Sequence, residues 1–367
     1  MPGTDWVASG GLNDEQTVIF DLGPPLLAEL GTFPSAFPDV RLMRAVGDGN
    51  RLAVTDGLST GVIDAETGDL IDGREAGLDR PHLYISRAET SPDGLYTTGL
   101  DRLGKSKIWS NIDGSELFAA NDGWQIRGFS DDATLAVLVE LVATQEPDNR
   151  AEAGSTRLVR TLDGMVIAEL EIVEWEAAFS SDDRYVATVA GENIQIWDTS
   201  TGAKLGSIKE YDLLGGSILW TPDGSRLIVG GFDGIIRVFD VGRLLSGVSD
   251  LEAMVTRIPA HDTSPMVLAD LKDGSLLLTQ SREEPAKVWD LETGALLGEF
   301  GTPVDGDFVA AAFHPTERRL YAEVGADLIG IFTLDPEELI EIARSRLSRE
   351  LIEEECQLYL RRSCEGG

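Results

Sequence analysis

The residues best suited to chemistry are few and lie far apart. The chain has three histidines, His82, His261 and His314, and none stands at a metal-ligand spacing from another or beside a cysteine. Its two cysteines, Cys356 and Cys364, both fall near the C-terminus. The sequence therefore predicts no metal site, and His314, which occupies a turn, is expected to lie on the surface.

Motifs for nucleophilic catalysis and phosphate binding are also missing. There is no Gly-x-Ser-x-Gly segment, and no glycine-rich loop leads into a predicted helix. Acidic residues are so abundant that no pair of them stands out. We expect a protein that is not an enzyme, with no catalytic residues and no cofactor.

The acidic excess limits the partners that the protein can have. The 367 residues include 64 Asp and Glu against 30 Lys and Arg, for a formal charge of -34. Such a surface repels nucleic acid and anionic lipid, and no apolar run approaches the roughly 18 residues of a membrane helix. The N-terminus lacks a signal-peptide pattern and the body lacks cysteine, so a cytoplasmic protein is expected. The excess acid serves either solubility or a basic partner.

One sequence pattern recurs along the chain, and the structural elements that it predicts must position any functional residues. Its best copy is Asn193-Ile194-Gln195-Ile196-Trp197-Asp198, a short alternating strand that ends in Trp-Asp before a turn closed by Gly202. Equivalent positions recur roughly every 40 to 50 residues, which is typical of a four-stranded repeat. These Trp-Asp positions are Phe20-Asp21, Ile63-Asp64, Trp109-Ser110, Val159-Arg160, Trp197-Asp198, Phe239-Asp240, Trp289-Asp290 and Phe332-Thr333.

A turn stands well before all but the first of these positions. Ser91-Pro92-Asp93-Gly94 and Thr221-Pro222-Asp223-Gly224 are the clearest examples. Pro presets one turn dihedral, while Asp and Gly tolerate the others. Because apolar runs follow both this turn and the Trp-Asp turn, each unit predicts four strands and no helix.

The phased motifs resemble WD-repeat β-propellers over residues 6 to about 334. The resemblance implies an all-β ring in which each repeat forms a blade. The family's Gly-His dipeptide, which feeds a buried His–Ser/Thr–Asp–Trp network, is almost absent here. Only the sixth unit comes close, with Ala260-His261, Thr279, Trp289 and either Glu283 or Glu284.

Seven blades account best for the repeats. The outer strand at Leu26–Leu30 is expected to close the ring by joining the last blade, which hides the sheet edges. The chain then divides into a stray hairpin at 1–25, a propeller at 26–334 and a tail at 335–367. The alternatives are eight blades with one incomplete, or a chain cut from a longer protein with more repeats.

The tail changes to a helical period. Asp335-Pro336-Glu337-Glu338 predicts a helix start. Apolar residues then share one face, at Leu339, Ile340, Ala343 and Leu347, and a second stripe follows at Leu351, Ile352, Cys356, Tyr359 and Leu360. The basic residues of the tail are Arg344, Arg346, Arg349, Arg361 and Arg362. We expect a helical pair that docks on the propeller with its arginines toward the acidic blades, or alternatively a helix that binds another domain.

The segment 343–360 also resembles the tail of large actinobacterial multidomain regulators. In those proteins an activator, cyclase-like, kinase or ATPase module precedes WD repeats. Ile352 stands where that tail usually has threonine. The resemblance implies a C-terminal sensory or scaffolding module in a bacterial signalling or transcriptional regulator.

Candidate partner-binding residues lie next to the predicted inner strands. Tryptophan and arginine are enriched at binding hot spots, and a tryptophan outside the Trp-Asp positions is not explained by the repeat. The predicted contact set, close to the loops on one face, is Trp124, Arg127, Trp175, Trp220 and His261. The polar insertion at 144–154 is expected to project as a loop.

The sequence therefore predicts a non-catalytic scaffold or sensor, in which loops on a rigid ring recognise a protein or peptide. Another domain of a longer polypeptide is one such partner. The alternative is a propeller hydrolase or lactonase that holds a metal in its central channel.

Overall fold

A strand ends at each Trp-Asp position in the computed structural model of the chain. The second residue of the pair is the last residue of its strand in all the copies, from Asp21 to Thr333. In the best copy, Asp198 Oδ1 accepts hydrogen bonds from the backbone N–H of Ser200 at 3.1 Å and of Thr201 at 2.9 Å. The dipeptide therefore marks the boundary between a strand and the turn that follows it.

The structure describes residues 6–342 with gaps at 11–16, 22–27, 36–39, 41, 47, 56–58, 76–89, 92–93, 101–104, 144–150, 172–175, 191–192, 210–216, 232, 263–265, 273, 282–283, 301–309, 326–327, 336 and 340.

The first strands lie before the regular repeats. They are β1 (Trp6–Gly10), β2 (Thr17–Asp21) and β3 (Ala28–Pro34). Blade 1 then contains β4 (Leu42–Val46), β5 (Arg51–Thr55), β6 (Ser59–Asp64) and β7 (Leu70–Glu75). Blade 2 contains β8 (Tyr96–Leu100), β9 (Ser106–Ser110) and β10 (Glu116–Ala119). Blade 3 contains β11 (Trp124–Phe129), β12 (Leu135–Ala143), β13 (Ala151–Arg160) and β14 (Val166–Leu170).

The later blades follow the same plan. Blade 4 contains β15 (Ala177–Phe179), β16 (Tyr185–Ala190), β17 (Asn193–Asp198) and β18 (Lys204–Lys209). Blade 5 contains β19 (Ser217–Trp220), β20 (Arg226–Gly230), β21 (Ile235–Asp240), α1 (Val241–Leu245), α2 (Asp250–Ala253) and β22 (Met254–Pro259). Blade 6 contains β23 (Met266–Lys272), β24 (Leu276–Ser281), β25 (Ala286–Asp290) and β26 (Leu296–Phe300). Blade 7 contains β27 (Ala311–Phe313), β28 (Arg319–Gly325) and β29 (Leu328–Thr333), together with β3.

The blades form a ring around their first strands. Within each blade the strands are antiparallel neighbours in chain order, and the first strands of successive blades, β11, β15, β19, β23, β27 and β4, contact one another. Four antiparallel strands return the chain to the side from which it started. The inner strands β4, β11, β15, β19, β23 and β27 therefore begin at one face of the ring, here called the upper face, and end at the opposite, lower face.

Ring closure follows the sequence prediction. β3 pairs antiparallel with β29, from Leu328 opposite Pro34 to Thr333 opposite Ala28, and completes blade 7 as its outer strand. The closing strand spans Ala28–Pro34, a few residues later than the predicted Leu26–Leu30. The seven-bladed propeller is thereby confirmed in place of the eight-bladed alternative. In the described residues, the hairpin of β1 and β2 pairs with no other strand.

Some local elements differ from the repeat pattern. The helices α1 and α2 stand between β21 and β22, where the pattern predicted only a turn. The predicted loop at 144–154 is in part a strand, because β13 starts at Ala151. Residues 337–339 and 341–342 of the tail are helical, and the rest of the predicted tail lies outside the described residues. No helix in the described part of the chain has the length and apolar run that a membrane span requires.

The hydrophobic core lies between the blades. One cluster joins Ile194 and Ile208 of blade 4 to Leu227 and Phe239 of blade 5, and these side chains are at most 1% exposed. Comparable clusters fill the space between other neighbouring blades. Because both faces of a blade are covered, the strands read as nearly continuous apolar runs.

Gly68 lies at the seam between blades 1 and 7, and its substitution tests how closely the two blades pack there. It has a φ of +75°, and a Cβ placed there would lie 1.6 Å from the carbonyl oxygen of Pro34 in the closing strand. Gly164 has a similar φ of +69° in the equivalent turn of blade 3, with nothing within 4 Å. We expect Gly164→Ala to lower the free energy of unfolding by about 1 kcal/mol, and Gly68→Ala by about 3 kcal/mol, measured by urea denaturation. Equal losses of unfolding free energy in the two variants would show that the backbone at the seam shifts to make room for the extra methyl group.

Candidate functional site

The predicted contact residues do not share one face of the ring. Trp124 is the first residue of its inner strand β11, whereas Trp220 is the last residue of the inner strand β19. They therefore lie toward the upper and the lower face respectively. Trp175, like His82, is outside the described residues.

Trp220 is a packing residue between blades 4 and 5. Its side chain is 8% exposed, and its indole Nε1–H donates to the Ala178 carbonyl oxygen at 2.9 Å. Its ring stacks on Tyr185 with 6.1 Å between centroids. A side chain enclosed in this way offers little surface to a partner, and its position is explained by packing between the blades.

His261 belongs to a buried network in blade 6, with no part of its side chain exposed. Its Nδ1 lies 3.0 Å from Glu284 Oε2 and its Nε2 lies 2.9 Å from Thr279 Oγ1. The indole Nε1–H of Trp289 donates to the same Thr279 oxygen at 2.9 Å. The structure thus identifies Glu284 as the acid of the network and removes His261 from the contact set.

Protonation in this network follows from its geometry. Burial lowers the pKa of His261, which favours the neutral ring at pH 7. Glu284 as a carboxylate can only accept, so the ring proton sits on Nδ1 and Nε2 accepts from the Thr279 hydroxyl. The Thr279 oxygen in turn accepts from Trp289. The hydrogen bonds of this network therefore serve to hold blade 6 together.

His314 is buried, so its predicted surface position was wrong. It is 6% exposed, and its Nδ1 accepts hydrogen bonds from the backbone N–H of Glu317 at 2.9 Å and of Thr316 at 3.3 Å. Its ring lies against Gly49 of blade 1, where a Cβ would come within 2.2 Å of Nε2. The sequence of the turn around His314 does not predict this burial, because the space for the imidazole is left by a glycine of the neighbouring blade.

The upper end of blade 3 presents a stacked tryptophan and arginine. Trp124 is half-buried and packs against the cluster that contains Ile126 and Leu138. The guanidinium carbon of Arg157 lies 4.4 Å from the centroid of the Trp124 ring, and Arg157 Nε donates to Glu169 Oε1 at 2.8 Å. A guanidinium over an indole is a favourable cation–π pair. Here it gives blade 3 a flat, amphipathic surface.

A long hairpin rises beside this stack. The partner of Trp124 on β12 is Glu140, but the pairing of β12 with β13 continues to Ala143 opposite Ala151. The hairpin thus extends three residues, or about 10 Å, beyond the start of the inner strand. Val142, in this extension, is 47% exposed. We call Trp124, Val142, Arg157 and Glu169 the blade 3 site.

Arg127 lies within β11, three residues into the strand from Trp124, and is half-buried. It stands at the irregularity between Ile126 and Gly128 where the pairing with β12 shifts register. Its position inside the inner strand separates it from the exposed hairpin tip.

Arg157 was missed by the sequence reasoning, although a repeat signal marks it. It stands two residues before the Trp-Asp position, where other blades carry Lys107, Gln195, Arg237 and Lys287. Each of these contacts a carboxylate, as in Lys107 with Glu116 at 2.8 Å and Lys287 with Glu284 at 2.9 Å. Aligning the repeats at this position shows the pattern. The stacking on Trp124 requires the folded blade.

The lower face carries a half-buried carboxylate. Asp183 has a φ of +54° at the turn position where other blades have glycine, for example Gly224. Burial raises the pKa of Asp183 to about 6, and the nearby charges of Asp132 and Asp182 act in the same direction. Its Oδ1 has no hydrogen-bond partner among the described residues. Nowhere in the described ranges do three or more His, Cys, Asp or Glu side chains converge as a metal site requires.

The fold and its repeats together define a seven-bladed β-propeller with WD-type repeats. Residues 216–240, which contain β19, β20 and β21, match the family model "WD domain, G-beta repeat".

Curated relatives are identical to this chain at about a quarter of the aligned positions. The angio-associated migratory cell protein of Homo sapiens is 27% identical over 53% of this chain and 42% of its own length. Actin-interacting protein 1 of Drosophila melanogaster is 24% identical over 62% of this chain and 37% of its own length. A guanine nucleotide-binding protein subunit beta-1 of Homarus americanus is 25% identical over 53% of each chain. The chain therefore spans about half the length, or less, of the relatives it matches.

Thr279 is the residue on which the His261 network depends. Thr279→Val should lower the free energy of unfolding by about 2 to 4 kcal/mol, because it leaves a buried ring nitrogen and a buried indole N–H without their partner. Thr188→Val in blade 4 is the matched control, since within the described part of the chain Thr188 accepts from the indole N–H of Trp197 at 2.9 Å and meets no ring nitrogen. It should cost about 1 to 2 kcal/mol. Urea denaturation of both variants makes the comparison, and a larger loss for Thr188→Val would contradict the role of the network.

Asp183 should make stability depend on pH. Because its folded pKa is about 6, above that of an unfolded aspartate, its stabilising contribution is complete below about pH 4 and is lost as the pH rises through 6. Asp183→Asn stays neutral and should raise Tm relative to the native chain at pH 7.5, an advantage that shrinks toward pH 4. Calorimetry between pH 4 and 8 measures this. If the difference in Tm between the two proteins does not change with pH, the gain comes instead from the greater tolerance of asparagine for a positive φ.

Proposed function

We propose that the protein is a non-catalytic interaction scaffold that binds a protein or peptide partner at the upper face of the ring, through the blade 3 site. The observation that carries the proposal is the hairpin of β12 and β13, which extends past the inner strand beside Trp124 and Arg157. The other strands of the propeller are explained by the repeat, whereas this extension contributes nothing to ring closure.

The chemistry of the blade 3 site suits a peptide-like partner. Tryptophan and arginine supply large contact areas at interfaces, and Arg157 keeps 38% of its side chain exposed while paired with Glu169. A protruding hairpin offers backbone for the addition of a further strand. The formal charge of -34 steers a basic partner toward the ring and accelerates its association at low salt.

The comparisons support an interaction role. Two relatives are named as an actin-interacting protein and as a subunit of a guanine nucleotide-binding protein. Both names record association with another molecule. By the resemblance of its tail, the protein is proposed to serve in the cytoplasm as the scaffold or sensor module of a bacterial signalling or transcriptional regulator.

Two substitutions test the blade 3 site. Trp124→Leu retains an apolar side chain against Ile126 but removes the ring under Arg157, and Val142→Lys changes the exposed hairpin tip. We expect each variant to weaken binding of the principal co-purified partner by about tenfold or more, because interface tryptophans commonly contribute more than 1 kcal/mol. Titration of the purified partner, with unchanged Tm and circular dichroism, measures the effect.

Exposed apolar residues elsewhere supply the controls. Leu251 on α2 is 76% exposed and Leu162 on the lower face of blade 3 is 87% exposed. Leu251→Ser and Leu162→Glu should leave the affinity unchanged. Loss of binding in Leu162→Glu alone would move the contact surface to the lower face, and full binding in both test variants would remove the blade 3 site from the proposal.

A further inference from the structure

A cleft lies between blades 6 and 7 on the lower face. It has a volume of about 410 Å³ and is lined by Leu276 and Leu297 of blade 6 and by Leu334, the residue that follows β29. Asp290 and Arg318 are its charged lining residues. The cleft therefore combines an apolar floor with a polar rim at the place where the chain leaves the ring.

The equivalent place between blades 4 and 5 is filled by a helix. Val241 follows β21 as Leu334 follows β29, and both donate their backbone N–H to a carbonyl of the first turn in their own blade, Val241 to Ser225 at 3.0 Å and Leu334 to Arg318 at 2.7 Å. The chain enters α1 at Val241. Val241 and Leu244 of α1 are then buried to 3% and 6% exposure, in one cluster with Ile194 and Ile208 of blade 4.

A helix also starts beside the open cleft. The carboxylate of Asp335 accepts hydrogen bonds from the backbone N–H of Glu337 at 2.8 Å and of Glu338 at 3.3 Å, which is the geometry of an N-cap. Leu339 N–H donates to the Asp335 carbonyl at 2.9 Å, and the Leu339 side chain is half-buried. The chain therefore leaves blade 7 through a helix, as it leaves β21, but the helix starts two residues later, since α1 is capped by Asp240 at the end of β21 and this helix by Asp335, two residues after β29.

We propose that residues 343–362 cover this cleft, as α1 covers the equivalent place between blades 4 and 5. The segment carries the apolar stripe of Leu347 and Leu351, which matches the floor formed by Leu276 and Leu297. Its attachment to Leu339 holds it at a high effective concentration near the cleft.

Charge favours the same placement. The segment contains Arg344, Arg346 and Arg349 near its start, and the neighbouring turn of blade 6 presents Asp290 and the exposed Glu292. The first part of the segment, 343–349, has three arginines and no acidic residue, and a ring with a large acidic excess gains from such a basic stretch in a way that it would not gain from a second acidic copy of itself. The occupant of the cleft is therefore the chain's own segment 343–362.

The native cysteines allow a direct test. Cys356 and Cys364 are the two cysteines of the chain, and both lie in or just beyond the proposed cover. Ala295→Cys places a thiol in the cleft, and Asp69→Cys places one at the equivalent exposed turn position in blade 1, which flanks blade 7 on its other side. Under mild oxidation of dilute full-length protein, Ala295→Cys should form an intramolecular disulfide with Cys356 or Cys364 about tenfold faster than Asp69→Cys. Peptide mapping by mass spectrometry identifies the bond.

A second set of variants separates docking from chance encounter. Leu347→Asp with Leu351→Asp, added to Ala295→Cys, should reduce the cross-linking rate to that of Asp69→Cys. Ser348→Asp, added to Ala295→Cys in the same way, should leave the rate several-fold higher than that of Asp69→Cys. Equal rates for Ala295→Cys and Asp69→Cys would overturn the proposal. A bond that forms only between molecules would do the same and assign the cleft to a second copy.

Discussion

The ring depends on the pairing of β3 with β29, which joins strands from opposite ends of the repeat region. Bringing together segments so distant in sequence costs chain entropy, so the junction needs support beyond its own hydrogen bonds. The structure supplies that support at the contact between blades 7 and 1. Gly68 of blade 1 approaches the Pro34 carbonyl without a side chain, and His314 of blade 7 fills the space that Gly49 of blade 1 leaves. Once this seam is formed, the edge of β29 is covered and the blades support one another.

Within that closed ring, individual blades tolerate the loss of the repeat's polar network. Blade 6 retains it in full, through His261, Thr279, Trp289 and Glu284. Among its described residues, blade 4 keeps the bond from Trp197 to Thr188. The apolar contacts between blades do not need a particular residue at each position, because dispersion and burial act between any well-packed side chains. This explains why the Trp-Asp positions can hold Phe, Ile or Val and still end a strand.

Departures from the repeat are the best guide to function in such a fold. Where every blade must satisfy the same packing, a feature found in one blade and unused in closure has to be explained by something else. Blade 3 is the clearest case, with its extended hairpin and the Arg157 guanidinium over Trp124. The cleft beside Leu334 is a second case, since its counterpart between blades 4 and 5 is filled. Both features lie on the propeller, whose packed core fixes their positions.

The architecture can be read from the residues alone, because strand periodicity, turn chemistry and the phased Trp-Asp positions are local properties that repeat. Seven blades, the closing strand and the use of Glu283 or Glu284 in blade 6 all followed from aligned positions. Which side chains are enclosed depends on the tertiary contacts. Trp220, His261 and His314 look like exposed candidates in their own segments, but each is covered by a residue from another strand or another blade, namely Ala178, Thr279 and Gly49. The stack of Arg157 on Trp124 likewise joins residues that are distant in sequence. Burial and long-range contact depend on neighbours that the local pattern does not contain, and for this reason the fold was predictable and the site was not.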